Sequence, residues 1–245
     1  MKLENAIIEW KNIVGDFQVF DKEITQKEYG SCTTGVSRSI AASIKPLDAT
    51  HIPQIVKVAN KYKIALYPIS TGHNWGYGTA IPPIDNCVIL DLSGLKRILA
   101  FDPDSGLVTV EPGVTQGQLS EYLSQGGYPY MVPVTGAGPT CSLLGNALER
   151  GYGITPLTDH FGAVTSVEAV LADGSVYQSV LSTMGGEVVD RAFKWSIGPY
   201  IDGIFSQGSF GIVTKMTISL AHRPESIESF LFGIKNPELL LDLVR

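Results

Sequence analysis

Apolar residues recur along the chain with two different spacings, which predict helices separated by short strands. Helical spacing occurs at 7–14, 52–59 and 119–123, where the apolar positions fall on one face. Apolar or alternating runs predict strands at 44–46, 64–68, 87–92, 98–101, 107–111, 163–171, 176–180 and 212–220. One strand-helix-strand unit followed by several β segments predicts an α+β fold.

Start and stop signals place two of the helices more closely. Thr50 is predicted to cap the helix over 52–59, and Thr115 with Gln118 forms a capping box that starts the next helix. Gly126 and the glycine after it end that helix. The polar, weakly patterned stretch 182–194 is predicted to be a loop.

A glycine-rich segment, 68–78, follows the strand predicted at 64–68. Three glycines lie within the seven residues 72–78, so the backbone can turn where side chains would clash. Successive N–H groups in such a turn form a concave anion site, to which Ser70, Thr71 and Asn74 would add side-chain donors. A plain strand-to-loop turn is the alternative that glycine spacing alone leaves open.

A second glycine-rich region spans 135–153. Its glycines would allow close approach of the backbone to a ligand, and 142–150 predicts a short helix whose N-terminus faces an anion. The familiar nucleotide motifs do not fit, because the sequence has no P-loop and a Rossmann fingerprint fails at 136–141, where the third glycine is missing. A dinucleotide would therefore have to bind in another way.

Composition and charge exclude several other functions. Among the 245 residues, 44% are hydrophobic and 17% charged, with a net charge of −6, so neither nucleic acid nor an anionic membrane is an expected partner. The N-terminus has no apolar signal core, and the default is a cytoplasmic protein. Three scattered cysteines and four scattered histidines predict free thiols and no metal site.

Taken together, these segments resemble the FAD-binding domain of the vanillyl-alcohol oxidase and p-cresol methylhydroxylase family. The resemblance covers roughly residues 44–222, and each motif alone would be weak. It depends on their order along the chain: 68–78, 145–153, 155–160, 198–203 and 211–215.

The resemblance implies a fold of two α+β subdomains that hold an extended FAD. It divides the chain into an N-terminal segment (1–43), the FAD-binding domain (44–222, with subdomains of roughly 44–100 and 101–222) and the start of a substrate domain (223–245). Most of that substrate or cap domain, which family members carry, is expected to be absent from the chain.

The resemblance also implies which residues bind the cofactor. The loop residues Ser70 to Asn74 would bind the diphosphate, with Pro68 and Gly78 at the ends of the same loop, and two later groups would line the flavin and support the cofactor further along. The full set is Pro68, Ser70, Thr71, Gly72, His73, Asn74, Gly78, Pro139, Thr140, Ser142, Gly145, Asn146, Gly211, Ile212 and Val213.

Asp159 is the residue that the resemblance assigns to catalysis. It matches a family aspartate near flavin N5, where a carboxylate can take a substrate proton or stabilise charge. Judged from sequence alone, the residues 157–160 are better explained as a helix or turn cap, and the resemblance reverses that preference.

Two roles are open for His73. In the berberine-bridge-enzyme branch a histidine at the like position is bonded covalently to the flavin 8α carbon, and a cysteine provides a second attachment. Val132 stands in the place of that cysteine. His73 would therefore form a single covalent link or serve as a non-covalent phosphate donor.

These expectations describe an FAD-dependent oxidoreductase that transfers a hydride from an alcohol or benzylic carbon, as in a 4-substituted phenol, to flavin N5. Oxygen or a cytochrome would accept the electrons. The alternative is a non-catalytic flavin-binding subunit, or a fragment that needs a separate cap chain. The apolar helix predicted after Asn236 has little chain left to cover it, which suggests further polypeptide, a partner chain or a homo-oligomer.

Overall fold

The computed structural model describes residues 2–73, 80–153, 156–157 and 159–244. The helices are α1 (Lys2–Val14), α2 (Lys22–Tyr29), α3 (Ile52–Tyr62), α4 (Gln116–Gln125), α5 (Leu143–Leu148), α6 (Val180–Thr183), α7 (Glu187–Ala192) and α8 (Leu240–Val244). The strands are β1 (Val19–Phe20), β2 (Ala42–Ile44), β3 (Leu66–Ile69), β4 (Val88–Asp91), β5 (Ile98–Asp102), β6 (Leu107–Val110), β7 (Tyr130–Met131), β8 (Val164–Leu171), β9 (Val176–Tyr177), β10 (Gly211–Ser219) and β11 (Ala221–His222).

The first half of the chain builds a four-stranded sheet with the order β1-β2-β4-β3. Strands β2 and β3 both run parallel to β4, and α3 connects them, as the strand-helix-strand pattern predicts. Helix α1 packs on α3, where Trp10 Nε1 donates to the Ile55 carbonyl at 3.1 Å. Because β3 ends at Ile69, the first glycine-rich segment starts at the carboxyl edge of this sheet, where ligands of parallel sheets commonly bind.

The second half builds a five-stranded antiparallel sheet with the order β5-β6-β10-β8-β9. Strand β10 is central and pairs with both β6 and β8. Helices α4 and α5 bury Leu119, Leu123 and Leu143 against Val110 and Met216 of this sheet. The hairpin predicted from 163–180 is present as β8 and β9.

Strands β8 and β10 contribute to two hydrophobic cores. Successive side chains of a strand point to opposite faces of the sheet. Val170 and Ile212 accordingly pack into the core of the first half, whereas Ala169 and Val213 pack into that of the second. The domain boundaries drawn from the sequence stay a prediction. The structure adds that residues 2–43 contribute α1, β1 and α2 to the first half.

Two local predictions were wrong. Asp48, not Thr50, provides the cap before α3: it accepts from Thr50 N at 2.9 Å and starts a 3-10 turn that leads into the helix. The stretch 182–194 contains the end of α6 and the short helix α7 instead of an open loop. Its sequence gave no helical period because each helix is only one or two turns long.

The C-terminal helix signal is borne out. Asn236 accepts from Glu238 N at 3.0 Å and caps a 3-10 turn that continues into α8. The described residues 222–244 are exposed. Across the part of the chain that the structure describes, no helix combines the length and the apolar character that a membrane span requires.

Candidate functional site

The two glycine-rich segments meet at Ser70 and Gly145. Ser70 follows β3, and Gly145 lies in the first turn of α5. A Cβ added at Gly145 would overlap Ser70 Oγ and would lie 3.3 Å from Ser70 Cβ. Glycine therefore lets the loop at the edge of the first sheet touch the helix that packs on the second sheet.

Thr71 carries an unsatisfied polar group in the first segment. Its Oγ1 atom is buried and has no hydrogen-bond partner among the described residues. A buried hydroxyl without a partner costs free energy, so such groups commonly mark a missing ligand atom. The next residue, Gly72, has a φ of +69°, which turns the backbone in a way that other residues adopt at a cost.

The remaining residues predicted in this segment are only partly defined. Pro68 lies in β3 and is exposed, and His73 is exposed directly after the turn. Asn74 and Gly78 lie outside the described residues. The roles assigned to Pro68 and His73, including the covalent link to FAD, stay predictions.

The Ser142 hydroxyl, by contrast, both donates and accepts a hydrogen bond within the protein. Its Oγ donates to the Pro112 carbonyl at 2.6 Å and accepts from Gly145 N at 2.9 Å, and the residue is 2% exposed. Leu143 N is likewise occupied, by the Val114 carbonyl at 3.1 Å. These N-terminal groups of α5 cap the helix, so the anion site expected at its start is not formed by them.

Pro139 and Thr140 lie on the exposed side of the same segment. The Pro139 carbonyl accepts from Gly117 N at 2.9 Å. A Cβ at Gly117 would lie only 3.0 Å from Pro139 Cβ, so the start of α4 and this turn are in close contact. The contact leaves the Thr140 side chain exposed beside the turn, where its predicted role at the flavin stays open to test.

Asn146 and His160 form a pair that sequence reasoning missed. The Asn146 amide nitrogen contacts His160 Nδ1, and His160 is 2% exposed. Burial lowers the pKa of the imidazole, and the neighbouring Asp159 carboxylate opposes that effect. With the amide donating to Nδ1, the neutral ring carries its proton on Nε2, which has no partner among the described residues.

Asp159 lies next to this pair and is exposed. Its Oδ1 accepts from Gly162 N at 2.8 Å, and its backbone forms a bridge with Tyr152. The carboxylate therefore caps a turn, which is the alternative that the sequence left open. The cap uses Oδ1, so Oδ2 is the carboxylate oxygen that does not take part in it.

Gly211, Ile212 and Val213 begin strand β10. Ile212 and Val213 are 9% and 3% exposed and pack into the two cores. A Cβ at Gly211 would lie 2.8 Å from the Phe205 ring and 3.0 Å from the Val170 carbonyl. Their contacts are those of sheet packing, and their predicted support of the cofactor stays a prediction.

Sequence reasoning also did not assign a polar cluster formed by Asp202, Tyr177 and Tyr200. Asp202 is 5% exposed and accepts from Tyr177 Oη at 2.6 Å, and burial raises the pKa of its carboxyl. Tyr200 Oη is buried without a partner among the described residues. The resemblance included the segment 198–203 that contains Tyr200 and Asp202, but it assigned neither residue a role.

The fold and the meeting of two glycine-rich segments are those of an FAD-binding domain. A sequence model of the FAD binding domain family matches residues 40–179, so the chain belongs to that family. Its fold is that of the p-cresol methylhydroxylase type, as the sequence predicted.

Particular relatives refine this result. The chain is 35% identical to 1'-carboxy-chondrochloren decarboxylase of Chondromyces crocatus, over 99% of this chain and 46% of that protein. It is 34% identical to the flavoprotein subunit of 4-cresol dehydrogenase (hydroxylating) of Pseudomonas putida, over 94% of this chain and 44% of that protein. The chain thus spans a little under half the length of these curated relatives.

Solved structures give the same picture. The structure of p-cresol methylhydroxylase with bound substrate aligns with a TM-score of 0.88 and 32% identity, over 92% of this chain and 44% of that chain. The isoeugenol complex of 4-ethylphenol oxidase from Gulosibacter chungangensis aligns with a TM-score of 0.84 and 33% identity, with the same coverage of 92% and 44%.

Proposed function

We propose that this domain serves an FAD-dependent oxidation in which a hydride leaves an alcohol or benzylic carbon of a 4-substituted phenol. Membership of the FAD binding domain family and the 34% identity to a dehydrogenase flavoprotein subunit support the redox chemistry. The phenol is supported by relatives whose names contain p-cresol, 4-cresol or 4-ethylphenol.

The observation that carries the proposal is the contact between Ser70 and Gly145 beside the unpaired Thr71 hydroxyl. A pyrophosphate needs N–H and O–H donors and room for close approach of the backbone. The turn at Gly72 supplies backbone groups, and Thr71 supplies a buried hydroxyl that has no partner among the residues that the structure describes. These residues fit FAD, which an acidic protein would hold mainly through neutral donors.

Bound FAD would supply the hydride acceptor at flavin N5. Asp159 would contribute a carboxylate whose Oδ1 is fixed by Gly162 N. Its Oδ2 would accept the substrate's proton or stabilise positive charge that develops on the substrate. His160, kept neutral by burial, would offer its Nε2–H to a neighbouring acceptor without adding a charge.

A visible spectrum of the purified protein, before and after acid denaturation, tests cofactor binding and the covalent link through His73. The expected result is a flavin absorbance that follows the protein in the native state. Anaerobic addition of 4-methylphenol should then bleach the flavin band. Bound FAD that no phenol reduces would favour the non-catalytic flavin-binding subunit instead.

The electron acceptor is part of the proposal and needs its own measurement. One structural neighbour is named an oxidase, whereas a relative of similar identity is named a dehydrogenase flavoprotein subunit. Oxygen consumption during phenol turnover supports direct reaction with oxygen. Reduction of added cytochrome c without oxygen consumption supports a cytochrome as partner.

A second candidate reaction is decarboxylation. It is favoured by the 35% identity to a decarboxylase over 99% of the chain. Release of carbon dioxide from a phenol with a carboxylate on its side chain would support this reaction. Bleaching by 4-methylphenol without any such release would support the hydride transfer proposed above.

A further inference from the structure

Lys194 reaches from the loop after α7 to the turn that contains Asp159. Its Nζ donates to the Gly162 carbonyl at 2.7 Å and to the Phe161 carbonyl at 3.4 Å. Hydrogen bonds from a charged donor are stronger than those between neutral groups. The ammonium group therefore holds two successive carbonyls of one turn.

Two aromatic rings complete the surroundings of this ammonium group. Nζ lies 5.9 Å from the centre of the Phe161 ring and 5.7 Å from that of Tyr200, both within cation–π range. Burial lowers the pKa of Lys194, and the carboxylates of Asp159 and Asp202 oppose that effect. Within the described part of the chain, the side chain is thus held by carbonyls and rings rather than by a direct ion pair.

The same turn is also held through its N–H group. Gly162 N donates to Asp159 Oδ1, while the Gly162 carbonyl accepts from Lys194. The Phe161–Gly162 peptide group is thus held at both ends, by Asp159 at its N–H and by Lys194 at its carbonyl at 3.4 Å. The contacts of Lys194 therefore lead through this peptide group to the carboxylate of Asp159.

We propose that Lys194 is a positioning residue that orients the Asp159 carboxylate by binding the carbonyls of Phe161 and Gly162. This inference rests on the proposed function, because it takes Asp159 as the group that acts on the substrate. Lys194 itself contacts neither substrate nor cofactor in this assignment.

Hydrogen exchange of the full chain tests the contact without any substrate. In Lys194→Met the amides of Gly162 and Ala163 should exchange about tenfold faster, while those in the centre of β10 stay unchanged. Lys194→Arg keeps the charge and the donors and should restore slow exchange. Unchanged exchange in Lys194→Met, or equal acceleration throughout the chain, would overturn the proposal.

Lys61→Met is the matched control. Lys61 likewise lies beside an aromatic ring, Tyr62, at 5.1 Å from Nζ, but its direct partner is the Glu9 carboxylate and it lies on α3. Loss of this lysine should leave exchange at Gly162 and Ala163 as it is in the unmodified protein. Faster exchange there in Lys61→Met would show that the effect is not specific to Lys194.

A second readout links the turn to the cofactor. In the FAD-loaded protein, Lys194→Met and Asp159→Asn should perturb the visible flavin band in the same direction, and the double variant should match the single ones because both act through one carboxylate. Additive perturbations would overturn the link. If 4-methylphenol fails to reduce FAD in the unmodified protein, the proposed function fails, while the exchange and spectral comparisons still decide the role of Lys194.

Discussion

Two hydroxyl groups in the candidate site, those of Thr71 and Ser142, differ in one respect that separates their functions. Ser142 donates to the Pro112 carbonyl and accepts from Gly145 N. Thr71 Oγ1 is also buried, but it has no partner among the described residues. A saturated hydroxyl stabilises the fold, whereas an unsaturated one has its hydrogen bonds available for a ligand.

The two segments therefore contribute differently to folding stability and to cofactor binding. The segment around Ser142 contributes stability before any cofactor binds, because its polar groups are paired within the protein. The segment around Thr71 lacks one such bond, which FAD would supply. Substitutions in the two segments should therefore separate folding stability from cofactor affinity.

The largest effect is expected where the segments touch. Gly145→Ala places a Cβ on Ser70 Oγ and 3.3 Å from Ser70 Cβ, so the Ser70 hydroxyl must turn away and the contact between the segments becomes crowded, and FAD binding should weaken by about a hundredfold. Titration of FAD by flavin fluorescence measures this. The double variant with Ser70→Ala removes the overlapping oxygen and should recover affinity up to that of Ser70→Ala alone, which lacks the predicted diphosphate donor. Equal affinity in Gly145→Ala and the unmodified protein would contradict the role given to this contact.

Ser142→Ala should affect stability rather than binding. It removes the cap of α5 and leaves the Pro112 carbonyl and Gly145 N without their partner, at a cost of about 2 kcal/mol in the free energy of unfolding. Urea denaturation of the FAD-free protein measures that loss, and FAD affinity should change by less than about twofold. A variant of unchanged stability with weakened FAD binding would instead support the direct cofactor contact predicted from the sequence.

Thr71→Val should show the opposite pattern. The exchange keeps the shape of the side chain and removes a hydroxyl that no described residue satisfies, so stability should be maintained while FAD affinity falls about tenfold. Thr71→Ser keeps the hydroxyl and serves as the control in the same titration. Loss of stability without loss of affinity in Thr71→Val would show that the hydroxyl belongs to the fold.

The smallest effect concerns His160 and pH. Burial lowers the pKa of this imidazole in the folded state, so below the ordinary histidine value of about 6.5 the unfolded chain binds more protons. The contribution of His160 to the free energy of unfolding is therefore complete above that pH and is lost as the pH falls below it. Between pH 7.5 and pH 5.5, urea denaturation should show a larger decrease in the free energy of unfolding for the unmodified protein than for His160→Gln. Equal losses would show that His160 takes up its proton when folded.

The fold was largely predictable because its signals are local. The apolar face of α3, the cap of α4 by Thr115 and the hairpin of β8 and β9 each depend on residues close in sequence. The capping box of α4 was only half right, since the Gln118 amide donates to the Lys96 carbonyl at 2.7 Å instead of returning to the cap. The short helix α7 was missed because two turns carry too little periodicity.

The site was less predictable because its contacts join distant parts of the chain. The resemblance identified the segments that contain Thr71, Gly145 and Asp159, yet the touch between Ser70 and Gly145 depends on how the two sheets pack. Likewise, the carbonyls held by Lys194 are main-chain groups that no side-chain pattern reports. The order of the motifs along the chain identifies the family, whereas the contacts and hydrogen-bond partners of each residue are seen only in the folded structure.

Ile212 and Val213 of β10 pack into different cores, and this arrangement should make the unfolding of the two halves cooperative. If β10 detached from one half, the other half would lose part of its own interior at the same moment, so heating should melt both halves in a single calorimetric transition. Cutting the polypeptide between the two sheets would then yield fragments with uncovered apolar faces, not autonomous modules. Recombination of domains among relatives would succeed only where β8 and β10 are exchanged together with the packing partners of both halves.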